Sequence, residues 1–359
     1  MAKTFYIKTT ENCQLNCKHC YTEGRSTNRP AWNMEKTLYW IETFIKDLIK
    51  PESIHFEFHG GEPLLDGHEK IQEFTRRVKH LVSRRPDIEC SFGITSNLVI
   101  NLKEEIIEFF KEIDGVVGTS YDPEIRFEND LQFNLWKKNI QTLNQHDIQP
   151  KLNISFSRAT ISSTLKELLE PLKELQFREI AFEPITQHGS AVQNHPIFPT
   201  NYERSLWHLH AYYEYQKNKT IPISTFDEIT DIFEKGVKKG LFHGQCEKHM
   251  LTFNPDGTIA GCPNNPKATV GTLNDVPITV IYSNGKLDLV AKEQEYKEVC
   301  FNCAVFQYCG SYCYQLDWDS AGHCPAPKEL LMSLADKDFN LKDKLAHRKK
   351  YFKIIDVKE

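Results

Sequence analysis

Nowhere does this chain reach the ~20 consecutive apolar residues that a membrane-spanning helix needs, so no membrane partner is expected. Its first residues, Met1-Ala2-Lys3-Thr4-Phe5, lack the apolar stretch and cleavage site of a secretion signal, which predicts a cytoplasmic protein. Excess basic charge is missing too. Lys and Arg number 44 against 49 Asp and Glu, giving −5 with His neutral, and this argues against a nucleic-acid partner. The one local exception, Lys342 to Lys353, reads as the solvated face of a terminal helix. Internal repeats and low-complexity segments are absent. With 359 residues, 40% hydrophobic and 26% charged, the chain has the length for one large domain and a smaller one.

Cysteine, by contrast, is abundant. A reducing cytoplasm disfavours disulfides, so eleven cysteines there point to metal or catalysis. Ten fall into two groups: Cys13, Cys17 and Cys20, then Cys246, Cys262, Cys300, Cys303, Cys309, Cys313 and Cys324. Three thiolates spaced as in the first group hold three irons of a cubane and leave the fourth without a protein ligand. A structural zinc site would want four protein ligands, and the next cysteine, Cys90, lies in an apparent strand as a small buried residue.

From residue 4 to about 183, short runs rich in Ile, Val and Phe alternate with segments of helical period. That pattern predicts βα units on a parallel sheet. Strands are expected near 4–10, 53–58, 91–96, 115–120, 151–157 and 178–183, with helices over 35–49, 68–82, 102–111, 131–144 and 163–175. Six such units form an incomplete (β/α) barrel, whose site belongs at the C-terminal strand ends, where Cys13, Cys17 and Cys20 fall. The fold class is thus α/β, a partial six-unit barrel over 1–199. Helices over 201–217 and 225–238 mark a bridging segment, 200–240. A cysteine-rich small domain follows over 241–326, with a hairpin turning at Asp256-Gly257, and a terminal helix lies within 327–359.

Cys13-Gln14-Leu15-Asn16-Cys17-Lys18-His19-Cys20 resembles the signature loop of the radical S-adenosylmethionine (radical SAM) enzymes, and Gly60-Gly61-Glu62-Pro63 resembles their GGEP motif. The resemblance implies a 4Fe-4S cluster whose open iron chelates SAM, reductive cleavage of SAM, and hydrogen abstraction by a 5′-deoxyadenosyl radical. It also implies SAM contacts from His19, Gly60, Gly61, Glu62 and Pro63, and from Ser96, Asn97, Ser120, Arg126 and Asn153. Gly60 and Gly61 suit close approach of backbone to a ligand, Glu62 an ammonium, and Arg126 a carboxylate. Tyr121, Asp122 and Glu183 reach the barrel mouth by strand position and are candidates for proton transfer. Pro123 stands where the peptide-acting members carry glycine.

The second cysteine group resembles the seven-cysteine pattern of the SPASM domain, which implies two auxiliary 4Fe-4S clusters and three clusters in all. By that family's crossed arrangement Cys300, Cys303, Cys309 and Cys324 complete one cluster, while Cys246, Cys262 and Cys313 leave the other a thiolate short. Its fourth site is expected to be open or filled by a non-thiolate such as His243, Glu247 or His249. The resemblance further implies a precursor peptide as substrate, an electron donor such as flavodoxin or ferredoxin, and an oxidative crosslink as product. Anaerobic sulfatase maturases, the main alternative, place Asp after the cysteine matching Cys262, where this chain has Pro263. A small-molecule dehydrogenase is a third reading. A plain electron carrier would need neither an open iron nor an amino-acid clamp. With the first strand at about residue 4, leader recognition is expected from the barrel, from residues 186–240 or from the basic C-terminal helix.

Overall fold

The computed structural model describes residues 3–336. Six strands and their helices come first: β1 (Lys3–Thr10), α1 (Met34–Asp47), β2 (Glu52–Gly60), α2 (His68–Val82), β3 (Ile88–Thr95), α3 (Glu104–Glu112), β4 (Val117–Ser120), α4 (Asp130–Gln145), β5 (Lys151–Ser155), α5 (Arg158–Ser162), α6 (Leu165–Leu169) and β6 (Glu179–Glu183). Two longer helices follow, α7 (Asn201–Lys217) and α8 (Ser224–Lys235). The cysteine-rich region contains α9 (Cys246–His249), β7 (Met250–Phe253), β8 (Thr258–Ala260), β9 (Thr269–Thr272), α10 (Pro277–Ile281), α11 (Asn284–Glu293), α12 (Glu298–Phe301), α13 (Phe306–Cys309) and α14 (Lys328–Ala335).

Among the described residues, all nine strands belong to one sheet, ordered β6-β5-β4-β3-β2-β1-β7-β8-β9. β1 to β6 pair in parallel, giving the expected open partial barrel. β7 then pairs in parallel with β1, from Thr4↔Met250 to Ile7↔Phe253, before β8 and β9 turn antiparallel. The cysteine-rich region is therefore grafted onto the barrel's first strand.

Alternation along the strands sorts side chains to two faces. In β2, Ile54, Phe56 and Phe58 are buried under the helices, whereas His55, Glu57 and His59 take the other face. β1 sends Phe5 and Ile7 to the helix side and Tyr6 and Lys8 inward. The barrel interior is accordingly polar, a place for a ligand rather than a packed core.

On the helix side, the Phe5 ring meets Trp40 and Phe44 of α1, Phe56 of β2 and Phe253 of β7, with centroids 5.1–6.2 Å apart. Edge-on aromatic packing of this kind adds to the area buried.

The helix expected over 163–175 is broken. Thr164 caps a new helix through reciprocal bonds with Glu167, and Pro171 lies in a 3-10 turn over Glu170–Leu172. Among the described residues, α10 and α11 are additions that the turn-rich texture of 241–326 hid. Of the terminal helix, α14 is described, and the basic stretch Lys342 to Lys353 lies outside the described residues.

Replacing Phe5 with Ala removes the ring shared by β1, β2, β7 and α1. It is expected to lower stability by about 3–5 kcal/mol in denaturant unfolding, the range for buried Phe truncation.

Candidate metal centre

Immediately after β1 the chain enters a loop closed by short-range bonds. Cys13 and Ser26 form an antiparallel bridge, and the Asn12 side chain bonds to the Arg29 backbone in both directions, at 2.9 and 3.3 Å. Leu15, 1% exposed, anchors the loop in the core. The Lys18 amide donates to the Ile125 carbonyl at 2.9 Å, docking the Cys17–Cys20 turn on the loop after β4. Burial pushes the Cys13 thiol up to about 11 and the Cys17 thiol to about 12 in the metal-free protein. Metal loading must therefore displace protons, since the thiolate is the ligand.

Gly60 and Gly61 have a partner other than a ligand. A Cβ at Gly60, where φ is +137°, would lie 2.1 Å from the Thr10 carbonyl oxygen, and one at Gly61 would lie 2.3 Å from that of Asn12. The two glycines let the end of β2 press against the entry to the cysteine loop. Pro63 accepts from the Thr9 hydroxyl through its carbonyl at 3.1 Å.

Glu62 is fully buried and ties two strand ends together. It accepts from the Ser96 hydroxyl at 2.9 Å, the Asn97 amide at 2.7 Å and the Leu64 amide at 3.2 Å. Burial raises its carboxyl to about 7 despite those three bonds. Asn97 also sends its side-chain amide toward the Cys13 sulfur at 3.6 Å and accepts from Gln14 at 3.0 Å. Ser96 and Asn97 are thus bound to Glu62 and the cysteine loop. Gln14 had no signal in the residue spacing beyond lying between ligand cysteines.

Asp122 is an anchor. It is fully buried, 2.8 Å from Arg126 Nε and 3.2 Å from His19 Nε2, and it accepts from the Ser155 amide at 2.6 Å. Burial alone would raise its carboxyl, but the charges of His19 and Arg126 hold it well below the usual carboxylate range. So held, it is a poor proton acceptor, unlike the role expected from strand position. Tyr121 turns to the helix side, stacked on Trp136 of α4 at 5.9 Å. Glu183 alone of the three lines the interior cavity, where it stands exposed at the end of β6.

That cavity encloses about 570 Å³. Tyr6, Glu57, His59, Thr95, Asn153 and Glu183 line its sheet side, and Cys246, Cys262 and Cys313 its far wall. Cys13, Cys17 and Cys20 stand outside the wall, connected to it through Tyr21, whose hydroxyl bonds His59 Nδ1 at 2.8 Å. Asn153 Oδ1 and His19 Nδ1 are buried polar atoms with no hydrogen-bond partner among the described residues. Ser120 faces Asn153 across the β4–β5 pair.

The seven later cysteines divide in space. Cys300, Cys303, Cys309 and Cys324 surround a separate pocket of about 300 Å³, while Cys246, Cys262 and Cys313 keep to the large cavity. All eleven thiols are free, and Cys90 sits in β3 opposite Ile54, away from both pockets. Among the described residues no three His, Cys, Asp or Glu side chains converge to hold a single metal ion. Cubane ligands stand further apart, one to each iron, so the donor sets suit clusters better than zinc. Of the non-thiolate candidates, Glu247 is fully engaged with Lys286 at 3.0 Å, the Tyr314 hydroxyl and the Cys262 amide. His249 is off the cavity wall. His243 is on it, with Nε2 4.0 Å from Cys246 Sγ and Nδ1 accepting from the Gln245 amide at 2.8 Å.

The family model described as a 4Fe-4S single cluster domain matches residues 4–141. The chain is 24% identical over 325 residues to a cysteine-type anaerobic sulfatase-maturating enzyme of Clostridium novyi, covering 85% of each. In fold it resembles the solved structure of anSMEcpe with bound AdoMet, with TM-score 0.74 at 15% identity over 99% of this chain and 95% of that one. It also resembles Streptococcus suis SuiB bound to the precursor peptide SuiA, with TM-score 0.61 at 12% identity over 91% and 76%. The cysteine loop on an open α/β half-barrel, with the match to a 4Fe-4S domain, supports an iron–sulfur enzyme. Together these likenesses support a radical SAM enzyme of the SPASM-domain group.

Glu62 makes stability depend on pH. Its carboxyl ionises near 4.5 when unfolded and near 7 when folded and ligand-free, so its contribution is complete below about 4.5 and lost as pH rises through about 7. The loss amounts to roughly 3 kcal/mol at most. Denaturation at pH 5 and pH 8 should show wild-type protein losing more stability over that interval than Glu62→Gln; equal losses would contradict the assignment.

Proposed function

We propose that this enzyme matures a ribosomally made peptide, oxidising an unactivated side-chain carbon to form a carbon–carbon or carbon–heteroatom crosslink. In this reading Cys13, Cys17 and Cys20 hold one 4Fe-4S cluster, Cys246, Cys262 and Cys313 a second, and Cys300, Cys303, Cys309 and Cys324 a third. His19, Glu62, Ser120, Arg126 and Asn153 are the residues that would hold SAM, with flavodoxin or ferredoxin as reductant. What these bound cofactors supply is a carbon-centred radical that takes hydrogen from an inert carbon.

The chain's own residues position the substrate and handle protons. The cavity of about 570 Å³ supports this reading most directly, because a side chain seated in it lies between the strand ends and the wall carrying Cys246, Cys262 and Cys313. Its size falls within the range of small-ligand sites. Glu183, at the exposed end of β6 on the sheet side of that cavity, is the proton acceptor we assign.

Likeness over 85% of each chain to the sulfatase-maturating enzyme favours a second reading, formylglycine formation on a protein Cys or Ser. Against it, the residue after Cys262 is Pro263, which has no carboxyl, and its carbonyl accepts from Lys8 at 3.2 Å.

Reduced protein incubated with SAM should release 5′-deoxyadenosine, and Cys13→Ala should release none. Mass spectrometry of a co-expressed peptide should find a loss of about two hydrogens, the mark of net oxidation by the cofactor pair. A peptide aldehyde would favour the second reading, and an unchanged mass would reject both. Glu183→Gln should keep 5′-deoxyadenosine formation and lower peptide product by about 10²-fold or more.

A further inference from the structure

Lys8 is the least expected side chain in the interior. It is 0% exposed, on the inward face of β1, and among the described residues no carboxylate pairs with it. Its ammonium donates to the Pro263 carbonyl at 3.2 Å and stands 4.7 Å from the centre of the Tyr21 ring. Those two contacts mark its position. Pro263 follows Cys262, and Tyr21 follows Cys20, so Lys8 touches the residue next to a cysteine of each group. Burial lowers its pKa to about 8, and the charges opposing that fall are Glu11, Cys262, Cys20 and Asp256.

An ammonium taken out of water without an anion is strongly disfavoured. One carbonyl and one ring face offset only part of that cost. The missing counter-charge is what thiolate-ligated clusters would bring to both sides of this residue. A cation held at such a place stabilises the reduced, more negative form of each cluster, and net charge around a cluster is one of the determinants of its potential.

We propose that Lys8 is a shared counter-cation for the cluster held by Cys13, Cys17 and Cys20 and for that held by Cys246, Cys262 and Cys313, keeping both easier to reduce. The proposal rests on the cluster assignment above and gives β1 an electrostatic role as well as a structural one. A lysine that merely ties β1 to the Cys262 turn would leave both potentials where they are.

The test compares anaerobically reconstituted wild-type protein with Lys8→Met and Lys8→Arg, reading iron content and EPR-monitored midpoint potentials. In Lys8→Met two of the three clusters should shift to more negative potential, while the one held by Cys300, Cys303, Cys309 and Cys324 stays put. Lys8→Arg should restore most of the shift. Metal-free Lys8→Met should melt no lower than metal-free wild type, because it loses an unpaired buried charge. Should the Met variant fail to fold, Lys8→Gln takes its place with the same expected shift. Full iron with unmoved potentials would overturn the role of Lys8 alone. Wild-type protein carrying only about four irons would overturn the auxiliary clusters and the proposal with them.

Discussion

Parallel pairing of β1 with β7 is the contact on which the rest of this molecule depends. β1 already supports β2 on one edge and launches the first cysteine loop from its C-terminal end. By accepting β7 on its other edge, in register from Thr4↔Met250 to Ile7↔Phe253, it fixes the hairpin that leads to Cys262 beside that loop. Two sequence regions some 240 residues apart thereby share one sheet. Phe5 holds the joint from the helix side and Lys8 occupies it from within.

A second constraint is polarity inside the barrel. A small (β/α) barrel normally fills its interior with branched apolar residues. Here β2 contributes His55, Glu57 and His59 to that face, and β5 and β6 contribute Asn153 and Glu183. The sheet is open, so these groups border a cavity that the cysteine-rich region closes. Fold and site are one arrangement: apolar alternate residues build the helix layer, and polar ones build the chamber.

Much of this was legible in the residue order. Strong alternation of apolar runs and helical period located all six strands to within a few residues, and cysteine spacing set the loop after β1 apart from the cysteine-rich region. Pairs that depend on register were not legible. Nothing in Met250-Leu251-Thr252-Phe253 says that its partner is β1, because a parallel partner at that sequence distance leaves no turn signal. Asp122 is a related case: strand position brings it to the mouth, but only the fold reveals that Arg126 and His19 lie against it there. Ser96 and Asn97, expected as SAM contacts, also bond Glu62, a link that no residue spacing announces. Lys8 escaped notice because a lysine in a strand ordinarily points to water.

Two sets of thiols, one at the end of β1 and one in the cysteine-rich region, are proposed to hold iron independently of each other. Iron analysis and Mössbauer spectroscopy of an anaerobically reconstituted variant with Cys13, Cys17 and Cys20 all changed to Ala would decide it. About eight irons per chain, all in 4Fe-4S form, is the result predicted for two surviving clusters. A variant that retains no cluster, or one that still holds about twelve irons, would contradict it.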